Sequence, residues 1–125
     1  MFPRDFYEIL HVIGIAMVFL SIGGVAVHAA NGGTKKTSNT RMLLATIHGL
    51  GTLLILVGGF GMLARMGFLH GASFPGWLWV KIIIWVILGA VTMLPYRRPE
   101  LARPALVLLP LLAGVAVYMA LYKPF

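Results

Sequence analysis

Four apolar runs, each close to the roughly 20 residues that an α-helix needs to cross a bilayer, take up nearly the whole chain. They extend from about Phe6 to Ala30, Arg41 to Ala64, Gly76 to Tyr96 and Pro104 to Tyr122. The breaks between them carry turn chemistry. Asn31 to Thr40 is rich in Gly, Ser, Thr and Lys and has no hydrophobic period. Arg97 to Arg103 is a short charged turn, and Pro104 suits the first position of a helix, where its missing N–H is not needed. Between Arg65 and Pro75 the residues Met66, Phe68, Leu69 and Phe74, with Trp77 just beyond, have the character of an interfacial aromatic belt. The pattern predicts an all-α, antiparallel four-helix transmembrane bundle forming a single domain over residues 1–125.

Within the first run, Tyr7, His11, Gly14, Val18, Ser21, Val25 and His28 recur at alternating spacings of four and three. That spacing defines one helix face. It gathers most of the small and polar groups, while Ile13, Met17, Phe19, Leu20 and Val27 fall elsewhere. In lipid, helices associate through small residues and interhelical hydrogen bonds, so this face is expected to point inward. A matching face on the second helix comprises His48, Gly51, Ile55, Gly58 and Met62, with Thr52 beside it. The fourth helix offers Ala113, Gly114, Ala116, Val117 and Tyr118 near Pro110, which leaves the Leu106 carbonyl without its helical donor.

Composition agrees with the membrane reading. Of the 125 residues, 60% are hydrophobic and 10% charged, against about 25% charged in soluble domains. There is no cysteine, which excludes disulfides and thiolate chemistry. The net charge of +7 sits mostly at the ends of apolar runs, a membrane pattern that argues against nucleic-acid binding. Lys35, Lys36, Arg41, Arg97, Arg98 and Arg103 flank two of the breaks, against Arg4, Arg65, Lys81 and Lys123 on the other side. The positive-inside rule then places both termini outside the cytoplasm. Val27-His28-Ala29 resembles a signal cleavage site, but Asp5 and Glu8 spoil the basic leader and the apolar run is long, so a retained helix is expected.

The chemistry concentrates in few residues. Lys81 lies five residues inside an otherwise hydrocarbon run, where an ammonium costs about 2.5–3.5 kcal/mol at the bilayer centre. Either it snorkels to the interface marked by Trp77 and Trp79, or it faces a bound group. His11 is at a similar depth, and Glu8 precedes it by one turn, so a closed Glu8–Lys81 pair beside His11 is a ligand-free alternative. His11 and His48, on inward faces of two helices, are candidate ligands for haem iron. His28, nearer a helix end, is a weaker cofactor-binding candidate, and His70 lies in the interfacial connection. Each histidine also has a plain structural reading, as interhelical hydrogen-bonding glue. No HExxH, GxSxG, Walker or CxxC motif occurs, and Asp5, Glu8 and Glu100 cannot form a buried acid pair.

The run Trp77-Leu-Trp-Val-Lys81 followed by Ile82 to Gly89 resembles the Trp-Leu-x-x-Lys-Leu helix of small bacterial membrane families. These are the SirB-type proteins, the HemJ-type protoporphyrinogen oxidases and the CopD-type copper-resistance proteins. The first helix, with His11 near its start, and His48-Gly49 in the second are similar to theirs. The resemblance implies residence in a bacterial inner membrane. Through the HemJ-type members it also implies haem b, with His11 and Lys81 as functional positions and His48 beside them. Three functions follow as expectations: a haem b or quinone-associated redox protein using His11, His48 and Lys81; a non-catalytic membrane subunit or assembly factor docking on a membrane partner or a second copy; and a copper-handling protein.

Overall fold

The computed structural model describes residues 2–65 and 75–123; Met66, Phe68, Leu69, His70 and Phe74 lie outside them. The described residues are mostly α-helical and contain no strand. Its elements are α1 (Arg4–Ala30), α2 (Arg41–Arg65), α3 (Gly76–Ala90), a short α4 (Leu94–Arg97), a 3-10 turn (Pro99–Leu101) and α5 (Ala102–Tyr122). The helix α1, the helix α2 and the stretch Pro99–Tyr122 are long and apolar enough to cross a membrane; α3 is shorter.

The sequence predicts one helix over 76–96, and the structure breaks it after Ala90. Pro95 supplies the reason. It has no N–H to offer the Val91 carbonyl, which instead accepts from the Leu94 N–H at 3.2 Å. The chain therefore leaves the helix at Val91 and resumes at Leu94, with proline in the first turn of α4. The fourth expected helix begins slightly earlier than Pro104, at Ala102.

α1 ends in a Schellman motif. Gly32 takes φ +86°, its N–H donates to the Ala29 carbonyl at 3.1 Å, and Gly33 donates to the His28 carbonyl at 2.8 Å. Only glycine enters that backbone region without strain. α1 then meets α2 antiparallel and at backbone distance. A Cβ on Gly14 would stand 2.6 Å from the Gly51 oxygen, and one on Gly58 would stand 2.6 Å from both the His11 nitrogen and the Tyr7 oxygen. The small residues at these crossings are what let two apolar helices reach dispersion contact along their backbones.

The inward face of α1 is largely the expected one: Gly14, Val18, Ser21 and Val25 are buried, joined by Ile22, Ala26 and Ala29. Ile13, Leu20 and Val27 point outward, but Met17 and Phe19 turn partly inward. Met17 covers Gly51, and Phe19 packs on the core formed by Val18, Ile22, Ile84 and Leu88. The expected face of α5 is displaced. Gly114 has open space beside it, and Val117 and Tyr118 are exposed. Ala116 of that face does pack on the core, but its companions are Leu109, Leu112 and Met119, again at spacings of three and four. The larger side chains reach α3 where Gly114 could not.

Candidate functional site

The polar side chains form three separate stations along the bundle. The first lies at the terminal end, where α1 begins and α5 finishes. There the His11 backbone crosses Gly58 at the α1–α2 contact and its ring lies over Gly59. Its Nδ1 lies 2.9 Å from the Ile55 carbonyl oxygen. A carbonyl only accepts, so Nδ1 carries the proton and donates; in the neutral ring Nε2 then holds the lone pair.

α3 is brought to the same level by packing. Leu63 of α2 clusters with Trp77 and Leu78, and Phe60 and Ile82 pack against them. Lys81 is half-buried there, and its charge and that of Glu8 both act on His11, in opposite senses. Lys81 makes no hydrogen bond or ion pair with a described residue. Glu8 does not close the site, because it pairs with Arg4 one turn away at 3.5 Å, on a half-exposed surface. A second ammonium adjoins instead. Lys123 places Nζ 5.1 Å from the centroid of the Trp77 ring, one helical turn before Lys81, and donates to the Ala120 carbonyl.

The second station is His48, which is buried. Its Nε2 lies 3.0 Å from the Leu88 carbonyl oxygen and 2.5 Å from Thr92 Oγ1. The carbonyl again decides the tautomer: Nε2–H donates, shared between the two oxygens. Leu88 belongs to the last turn of α3, whose carbonyls have no intrahelical donor. His48 is therefore a cap supplied by a neighbouring helix at the point where Pro95 forces α3 to stop. One turn further along α2, Thr52 Oγ1 donates to the His48 carbonyl at 2.7 Å, and Trp85 Nε1 donates to the Thr52 carbonyl at 3.0 Å. These side-chain bonds tie α3 to α2.

The third station closes the opposite, loop end. His28 Nδ1 and the Tyr96 hydroxyl are 2.7 Å apart, with the rings edge to face, and Thr37 approaches the other ring nitrogen at 3.5 Å. The ring fills the space over Gly33, which a Cβ there would enter.

His11 thus feels the charge of Lys81, whereas His48 is held by other partners at another level. The His11 ring is bonded at Ile55, seven residues along α2 from His48, or ~10 Å at 1.5 Å per residue. The two rings also turn to different partners. Two histidines that were to hold one haem iron would have to meet at one level of the bundle, and this pair is held at two levels by different partners. His28 is farther still, 17 residues from His11 on α1, or ~25 Å. No group of three or more His, Asp or Glu able to hold a metal ion occurs among the described residues.

Several participants escape sequence reasoning. Thr92 is the one hydroxyl in the apolar stretch from Ile82 to Pro95, and that isolation was a usable signal. In the sequence Tyr96 marks only the end of an apolar run and Lys123 only a flanking charge, because the rings they meet, His28 and Trp77, belong to helices distant in sequence. No model of a known family, no curated protein and no solved structure matches the chain.

Proposed function

We propose that this protein is a four-helix transmembrane bundle that binds the head group of a quinone or quinol between His11 and Lys81, in a membrane redox role. α3, the break and α4 together make the fourth crossing, with His48 and Thr92 satisfying the backbone where helix is lost. The basic loops lie on the cytoplasmic side of a bacterial inner membrane and both termini outside.

The observation that carries the reading is the half-used ring of His11. Its Nδ1–H is fixed on Ile55, which leaves Nε2 as an acceptor, and the Lys81 ammonium supplies donors at the same level. A quinol hydroxyl donates to an imidazole nitrogen, and a quinone or phenolate oxygen accepts from an ammonium. One acceptor and one cationic donor therefore complement both redox states. Exposed Ile9 and Val12 on α1 leave this level open to lipid, where an isoprenoid tail belongs.

Saturable quenching of tryptophan fluorescence by a short-chain quinone, measured on the detergent-purified chain, tests the proposal. His11→Ala and Lys81→Gln should each weaken binding about tenfold or more, the scale of a hydrogen bond involving a charged group. No saturable quenching in the wild type, or wild-type affinity in both variants, would sink it.

A second reading rests on the same nitrogen. A ring that donates its other N–H to a backbone carbonyl is held as metal-ligating histidines are held. Haem b on His11 alone, with Lys81 meeting a propionate, predicts a Soret band that His11→Ala abolishes. A colourless folded protein, expressed with ample haem, removes this reading and leaves the quinone proposal standing.

A further inference from the structure

The connection between α1 and α2 folds into a concave surface of its own. Lys35, Lys36, Ser38, Asn39, Arg41 and Met42 line a cavity of about 390 Å³. The loop is pinned rather than loosely draped. Thr34 N–H donates to Thr37 Oγ1 at 2.8 Å, Thr37 Oγ1 donates back to the Thr34 carbonyl at 3.1 Å, and Thr37 N–H donates to the same carbonyl at 3.2 Å. The two lysines therefore project from a defined turn.

Three of the lining side chains are cations, two are neutral hydrogen-bonding groups, and none is an acid. No side-chain carboxylate elsewhere in the chain balances them. Asp5 and Glu8 begin α1 at the opposite end of the bundle, and Glu100 is held by Arg98 at 2.7 Å. Three uncompensated cations around one concavity call for an anion, and phosphate oxygens match the donors of lysine, arginine, serine and asparagine. The sixth wall is apolar. Met42 is 73% exposed and Leu43 follows it at the start of an apolar helix. A ligand filling the cavity is thus charged at one end and meets hydrocarbon at the other.

We propose that this cavity is a headgroup site for an anionic phospholipid, with Lys35, Lys36 and Arg41 around the phosphate and the acyl chains running beside Met42 and Leu43. Inorganic phosphate shares the oxygen chemistry but has nothing to place against the apolar wall. The site lies at the far end of the bundle from His11, so it stands or falls independently of the quinone proposal.

Native mass spectrometry of the full chain, offered phosphatidylglycerol and phosphatidylcholine at equal concentration, provides the test. Phosphatidylglycerol adducts should dominate, and raising salt should diminish them. The double variant Lys35→Gln/Lys36→Gln should lose the preference, by about fivefold for each charge removed. A control with equal charge loss at the same end but outside the cavity, Arg97→Gln/Arg98→Gln, should keep most of it. Equal losses in the two variants would reduce the effect to diffuse attraction and overturn the site. Displacement of phosphatidylglycerol by millimolar inorganic phosphate would overturn the lipid as its occupant. Absence of any preference in the wild type would end the proposal.

Discussion

Two histidines on facing helices of this bundle have opposite accounts. His48 is buried, and its Nε2–H is spent on the Leu88 carbonyl and Thr92. His11 is half-buried, spends Nδ1–H on Ile55, and keeps a nitrogen lone pair within the field of the Lys81 ammonium, which has no described counterion. Residue type does not separate them, and neither does helical face, since both lie on inward faces. What separates them is what their partners leave over. A histidine needed to end a helix is consumed by the backbone it caps, whereas one anchored to an intact helix retains its second nitrogen for chemistry.

The sharpest way to break the comparison is to remove the platform under His11. Gly58→Val puts a branched side chain where even a Cβ would stand 2.6 Å from the His11 backbone. Backbone cannot rotate away, so α1 and α2 must separate, at a cost above the about 1–3 kcal/mol of ordinary overpacking. Loss of the folded protein, or of a large part of its detergent unfolding midpoint, is the expected outcome. Gly49→Ala on the same helix is the control: nothing stands within 4 Å of the new Cβ. It should leave the midpoint unchanged or raise it, because alanine is the better helix former.

Next in size is His48→Ala. It strips the donor from the Leu88 carbonyl and Thr92, and an unsatisfied buried polar group costs about 1–3 kcal/mol. The unfolding midpoint should fall while quinone affinity of the surviving folded protein stays at the wild-type value. His48→Gln, which offers an amide N–H, should recover part of the stability. His11→Ala should show the reverse profile, with binding lost and stability reduced less. If His48→Ala abolished quinone binding and spared stability, the roles assigned to the two rings would be exchanged.

Much of this architecture was legible before any coordinates. Gly14, Val18, Ser21 and Val25 announce the buried face of α1 because small residues at spacings of three and four have one efficient use in lipid. The shared level of His11 and Lys81 follows from counting residues inward from matching helix ends. The division of labour among the histidines was not legible. It depends on α3 stopping at Ala90, and hydropathy runs on without pause from Gly76 to Tyr96 although Pro95 held the clue. It depends as well on which carbonyl each ring nitrogen finds, and that is fixed by the backbone-close crossing of α1 and α2. The working face of α5 is legible only at Ala116, because small residues mark close contact and most of this face is not small. Here α3 lies at side-chain distance, and leucine and methionine, not glycine, bridge the gap.

The mildest test concerns the third ring, which belongs with His48 if the comparison holds. His28 is bonded to the Tyr96 hydroxyl at 2.7 Å and approached by Thr37 on its other nitrogen, so no lone pair is left beside an unmatched charge. Tyr96→Phe removes one partner and keeps the edge-to-face ring contact. The expected loss is about 0.5–1.5 kcal/mol, the net worth of a single hydrogen bond, read as a small downward shift of the unfolding midpoint. Quinone binding should not respond, because His28 and His11 are ~25 Å apart along α1. A change in quinone affinity in Tyr96→Phe would mean that the stations communicate through α1, and the separation of a binding ring from two structural ones would fail.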